Sequence, residues 1–127
     1  MSSRKSAKPG PKRDSGVTGV VQRSEALAGI YAALGDPTRL KLVALLCAGG
    51  AFSISHLTAS TDISRQGVTK HLRVLADAGV VRDLKRGRER LWQLEPARIE
   101  DARHALEVIG RQWDEALDRL KAFVESD

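Results

Sequence analysis

Two amphipathic segments set around a four-residue turn constrain this chain more than any other feature. Ser60-Thr61-Asp62-Ile63 separates a short segment, with Ile54 and Leu57 on its inner side, from a longer one opening at Ser64. Ser53 or Ser55 suits the cap of the first and Ser64 that of the second, because a serine hydroxyl accepts from the free N–H groups of a first helical turn. At about 100° per residue, Val68, Leu72 and Leu75 share one face of the second segment, which runs to about residue 78 before Gly79 ends it. A short helix, a tight turn and a second helix form a helix-turn-helix.

The flanking elements are also punctuated. Leu27, Ile30, Tyr31 and Leu34 recur at helical spacing and predict a helix from Ser24 that Gly35 terminates. Asp36 is placed to cap the next helix and Pro37 suits its first position. Leu40, Val43, Ala44 and Cys47 form its apolar stripe, on which Cys47 reads as a buried, inert thiol, and Gly49-Gly50 stops it. Residues 80–84 and 90–94 are strand-like, and Gly87 supplies the positive φ for a turn across 85–89. Pro96 opens a last helix reaching nearly to the C-terminus. The fold class is mainly α with a small β-hairpin: a winged helix-turn-helix carrying a long C-terminal dimerisation helix.

That last helix needs a partner. Ile99, Leu106, Trp113 and Leu120 recur every seventh residue, with Ala102, Ile109, Leu117 or Ala116, and Phe123 or Val124 between them. Residues 97–125 span about 43 Å as a helix, more than so small a domain covers, and a second copy of the helix is the natural cover. Expected interface residues are Leu106, Ile109, Trp113, Leu117 and Leu120, joined by Leu27, Ile30 and Tyr31 from the N-terminal helix. Gly110, mid-helix, costs up to about 1 kcal/mol against Ala.

Charge points to the partner. The 127 residues carry a net charge of +5 and a pI near 9.8, which favours nucleic acid first and an anionic membrane second. Gln66, Thr69, Lys70 and Arg73 lie opposite the apolar face of the 64–78 helix, whose one acid, Asp77, is at the far end. Gln matches the adenine edge, Lys and Arg match guanine or phosphate, and Thr reaches a base or a backbone oxygen. Ser64 and Arg65 sit at its N-terminus, where free N–H groups favour a phosphate. The hairpin tip adds Lys85, Arg86, Arg88 and Arg90, charges suited to neutralising phosphates along a groove edge. From Arg65 to Arg90 there are eight Lys/Arg and three acids. Double-stranded DNA is the expected partner.

Other classes are disfavoured. No apolar run approaches the roughly 18 residues of a membrane span. Residues 1–22 lack the apolar core of a secretory signal. A lone cysteine forms no internal disulfide and fits a reducing cytoplasm. No nucleophile–base pair, phosphate-cradling loop or metal cluster suggests an enzyme or a cofactor. Three parts are expected: 1–23 as a disordered basic arm, 24–95 as the DNA-binding domain and 96–127 as the dimerisation helix. The arm holds six Lys/Arg against Asp14, and Pro9-Gly10-Pro11 breaks it. It reads either as a solvated leader or as non-specific phosphate attraction.

Three stretches together resemble the ArsR-like family of bacterial winged-helix repressors: ALGDPTRLKLVALL at 33–46, LTASTDISRQGVTKHLRVLADAGVV at 57–81 and RGRERLWQL at 86–94. The resemblance covers about residues 26–95. It implies a symmetric dimer with the first and last helices at the interface, and the 64–78 helix in the major groove. Ser64, Arg65, Gln66, Gly67, Thr69, Lys70 and His71 lie where that family contacts DNA, although His71 leans toward the core and reads as packing before phosphate contact. Many members sense soft metals through two cysteines, where this chain has Ser53-Ile54-Ser55-His56, and serine is a poor ligand for such metals. Others bind zinc between C-terminal helices. Here Asp101 and His104 depart from that spacing, and with Glu100, Asp114, Glu115 and Asp118 they read as a solvated acidic face. No metal site is expected, and the sequence does not identify an inducer. The alternatives are a metal-responsive repressor with an atypical site, and a winged helix that binds protein instead of DNA.

Overall fold

In a computed structural model, residues 16–126 form six helices and three strands. In chain order they are α1 (Val17–Gln22), α2 (Ser24–Leu34), α3 (Pro37–Gly49), β1 (Ala51–Ser53), α4 (Ile54–Ala59), α5 (Arg65–Asp77), β2 (Val81–Arg86), β3 (Glu89–Leu94) and α6 (Pro96–Glu125). The antiparallel sheet has the order β1-β3-β2. The core is one apolar cluster. Leu42, Leu57, Val68, Leu72, Leu75 and Val80 are fully buried, and Leu46, Leu27, Ile30 and Ala105 close around them.

Local chemistry accounts for the boundaries. Asp36 caps α3 by accepting from the N–H groups of Thr38 and Arg39 at 2.9 and 3.1 Å, with Pro37 entering the first turn. Ser53 caps α4 through the His56 N–H, and Ser64 caps α5 through the Gly67 N–H, both at 3.1 Å. In the hairpin, Arg86 pairs with Glu89, leaving Gly87 and Arg88 as a two-residue loop. Gly87 has φ 64° and, among the described residues, no non-glycine residue has positive φ, as expected of a turn with glycine at its first central position.

Four expectations change. The segment expected to be disordered through residue 23 is helical from Val17 to Gln22. The cause is packing: Val17, Val20 and Val21 line an apolar groove with Val108, Ile109 and Trp113 of α6. At the entry Gly16 (φ 94°) lies so close to Val108 that a Cβ would sit 2.9 Å from its methyl. Residues 1–15, most of the expected arm, lie outside the described residues. The hairpin proves to be part of a three-stranded sheet, because Ala51, Phe52 and Ser53 pair with Gln93, Trp92 and Leu91. Strand length alone gave no signal for so short a segment.

The apolar face of α3 is also rotated from the expected one. Leu42, Val43 and Leu46 are buried, whereas Leu40 is 55% exposed and Ala44 and Cys47 face solvent. This helix is apolar almost all round, so periodicity alone does not choose its inner side. Finally, Leu27 and Ile30, expected at a dimer interface, are only 4% and 2% exposed within the single chain. They belong to its own core because α2 packs on the first half of α6, where Tyr31 donates its hydroxyl to the Ala102 carbonyl at 2.7 Å.

Leu72 is fully buried where α5 enters the core. Leu72→Ala is expected to destabilise the fold by about 2–5 kcal/mol, read as a lower urea midpoint with little change in slope.

Candidate nucleic-acid interface

The start of α5 forms an open polar recess on the surface. Leu57 anchors α4, while Val68, Leu72 and Leu75 bury the inner face of α5. The connecting turn is tied down by side chains: the Ser60 hydroxyl donates to the His56 carbonyl at 3.0 Å, and the Thr61 hydroxyl to the Thr58 carbonyl at 3.3 Å. The outer face is thereby fixed. Ser64, Arg65, Gln66, Gly67, Thr69 and Lys70 line one open recess with no acid among them.

The expected DNA-contacting side chains differ in freedom. Gln66, Lys70 and Arg73 are exposed, with Arg73 beyond the recess. Thr69 is half-buried and donates its hydroxyl to the Arg65 carbonyl at 2.9 Å, leaving it only as an acceptor. Arg65 is steered by α4: its Nη1 donates to the Ser55 hydroxyl at 3.0 Å. In the wing, Lys85 lies opposite Arg90, whose guanidinium is 3.2 Å from Asp83. Among the described residues no acid pairs with Lys85, Arg86 or Arg88, and all three are exposed. The wing thus holds three unpaired cations and one that an acid partly offsets.

His71 does not point into the recess. Its Nδ1 lies 3.3 Å from Arg39 Nη1 and 3.9 Å from the Asp36 carboxylate, at the junction of α2 and α3. Arg39 was not singled out from the sequence, where only the capping pattern of Asp36 three residues earlier marks the place. The Arg39 N–H, then its guanidinium, the Thr38 N–H and His71 hold the Asp36 carboxyl below the usual carboxylate range, against desolvation.

The serines at the family's thiolate positions have structural tasks, since Ser53 caps α4 and Ser55 holds Arg65. On α6, Asp101 lies between Arg23 (3.5 Å) and Arg98 (3.7 Å), and His104 lies 3.9 Å from Glu107. Among the described residues no three His, Cys, Asp or Glu side chains converge, and no helix is long and apolar enough to cross a membrane.

Known proteins share this arrangement. Residues 34–83 match the family model described as a helix-turn-helix domain. An HTH-type transcriptional regulator of Mycobacterium tuberculosis is 33% identical over 97 residues, covering 76% of this chain and 87% of the relative. The arsenical resistance operon repressor of Escherichia coli is 27% identical over 97 residues, covering 76% and 80%. The solved structure of an ArsR-like transcriptional regulator from Rhodococcus sp. RHA1 superposes with a TM-score of 0.73 at 34% identity, over 84% of this chain and 99% of that one. The chain belongs to the ArsR-like family of winged helix-turn-helix regulators. It is a DNA-binding transcriptional regulator and not an enzyme.

The lowered Asp36 pKa has a definite consequence for stability. Its folded value lies below the unfolded value of about 3.9, so the stabilisation is complete above that pH and is lost as pH falls through the folded value. The stability gap between wild type and Asp36→Ala is expected to stay constant near neutrality and shrink below about pH 4, followed by urea titrations across pH.

Proposed function

We propose that this chain acts as a cytoplasmic homodimeric repressor. In this reading the start of α5 enters the major groove, with Arg65, Gln66, Thr69, Lys70 and Arg73 as readers, and Ser64 and the free N–H groups of the first turn hold a phosphate. The wing residues Lys85, Arg86, Arg88 and Arg90 hold flanking phosphates. The observation that carries it is the acid-free recess at the α5 N-terminus, where Ser64, Arg65, Gln66 and Lys70 can donate to base edges and backbone oxygens and Thr69 can accept. Repression is supported by the similarity to the arsenical resistance operon repressor of Escherichia coli.

Dimerisation is supported by an apolar face that the single chain leaves open. Trp113 is 65% exposed and Leu120 58%, with Leu106, Ile109 and Leu117 similarly open along α6. Residues 24–95 serve as the DNA-binding unit and 96–127 as the dimerisation helix, with Tyr31 linking the two. Two-fold symmetry then places half-sites about 10 bp apart, or a multiple of that.

Footprinting of the purified protein on the DNA around its own gene tests the reading, and equal affinity for scrambled DNA defeats it. Arg65→Ala or Gln66→Ala should lose about 1–3 kcal/mol of base discrimination. Arg86→Ala or Arg88→Ala should weaken all sequences alike and flatten the log–log salt slope by about 0.9 each. Wing variants that changed sequence preference would reverse these roles. Trp113→Glu is expected to sediment as a monomer and to lose high-affinity binding to the two-half-site operator while keeping its helical content.

A further inference from the structure

Arg39 ties three helices together. Its Nε donates to the Ala33 carbonyl in the last turn of α2 at 2.6 Å. Its N–H donates to the cap residue Asp36 at 3.1 Å. Its Nη1 lies 3.3 Å from Nδ1 of His71, on α5. A guanidinium only donates, so this hydrogen bond requires His71 to accept through Nδ1, with its ring proton on Nε2. The Asp36 carboxylate, 3.9 Å from the same nitrogen, is a second acceptor served by Arg39. His71 occupies the boundary of α5: Lys70 before it lines the outer recess, Leu72 after it is fully buried, and its own side chain is 25% exposed.

Apolar contacts at Val68, Leu72 and Leu75 hold α5 in the core but are non-directional. They resist withdrawal of the helix more strongly than a small rotation about its axis. A hydrogen bond is directional and weakens steeply off line. We propose that Arg39 and His71 are positioning residues for DNA binding, their hydrogen bond fixing the rotation of α5 relative to α2 and so the aim of Gln66 and Lys70. The inference rests on the reading that α5 enters DNA. It also gives α6 a route to the recess, because Tyr31 joins α2 to the Ala102 carbonyl of α6 at 2.7 Å and Arg39 joins α2 to α5. The aim of each recognition helix is then set against the frame that spaces the half-sites.

The test uses the full chain and its operator, with affinity, salt slope and thermal midpoint measured together. His71→Leu removes the acceptor from a partly buried site. It is expected to keep a thermal midpoint close to wild type, to bind about tenfold more weakly and to keep the wild-type salt slope. His71→Asn presents an oxygen near the place of Nδ1 and is expected to restore affinity to within about threefold. Arg39→Lys keeps the charge but not the fork, and should behave like His71→Leu. The double variant should be no weaker than either single one. Nitrogen NMR of the free protein should find the His71 proton on Nε2.

Wild-type affinity for His71→Leu overturns the proposal, as does His71→Asn as weak as His71→Leu, or a ring proton on Nδ1 at neutral pH. A salt slope flatter by about 0.9 in His71→Leu also overturns it, since the ring would then be holding a phosphate itself. Arg65→Ala separates the two layers. If it binds like wild type, the major-groove reading fails and this inference with it. If it is weakened while His71→Leu is not, only the positioning role fails.

Discussion

One helix has to serve two solvents. The inner face of α5 supplies three fully buried core residues, Val68, Leu72 and Leu75, while its outer face carries Gln66, Lys70 and Arg73 at the surface. Fold and recess are therefore not separable parts. A change in how the inner face packs moves the outer face with it, because residues three and four apart on a helix are rigidly related. The turn before α5 supports this coupling. Ser60 and Thr61 bond backward onto α4, and Ser64 satisfies an N–H of the first turn while leaving the helix entrance toward solvent.

The same division recurs along α6. Its first half packs inward through Ala102, Ala105 and Val108, and its second half leaves Trp113, Leu117, Leu120 and Phe123 open. The change of face has a steric logic. Small residues bring α6 close to α2, near enough for Tyr31 to reach the Ala102 carbonyl, and the bulky apolar residues project where the single chain has nothing to cover them. Such a run of exposed large side chains is costly in water and marks an interaction surface. The Val17–Gln22 helix extends this face, since Val17, Val20 and Val21 border Ile109 and Trp113.

Much of the fold was legible because its signals are local. Asp36-Pro37, Ser53, Ser64, Gly79 and Gly87 act within a few residues of themselves, and each marks a boundary the structure keeps. The inner face of α5 was legible because its two sides differ sharply in polarity. The misread places lack such contrast. The α3 helix offers apolar residues on every side, so Leu42 and Leu46 are selected over Leu40 and Cys47 by the neighbours they meet, not by spacing. The three residues of β1 are a strand only because β3 has a free edge beside them. Helix α1 is too short to stand alone and owes its form to α6. The Arg39–His71 contact spans 32 residues in sequence, and nothing in local pattern joins them.

The two serines at the thiolate positions sharpen where control of this regulator has to act. Ser53 is occupied with the α4 cap and Ser55 with the Arg65 guanidinium, so this region already sets the pose of one proposed reader without any ligand. Under the proposed positioning role, a second set of proposed readers, Gln66 and Lys70, depends on how α5 is rotated, and the contacts that would hold that rotation reach α2 and through it α6. The geometry thus offers two inputs to one recess: a short-range one through α4 that fixes Arg65, and a longer one that begins at the apolar face of α6. Only the second connects to a surface left open in the single chain. In the proposed dimer, assembly state is therefore the variable to which the aim of the recess is tied, and a signal altering how α6 meets its partner would reach the proposed DNA-facing residues through Tyr31, Arg39 and His71.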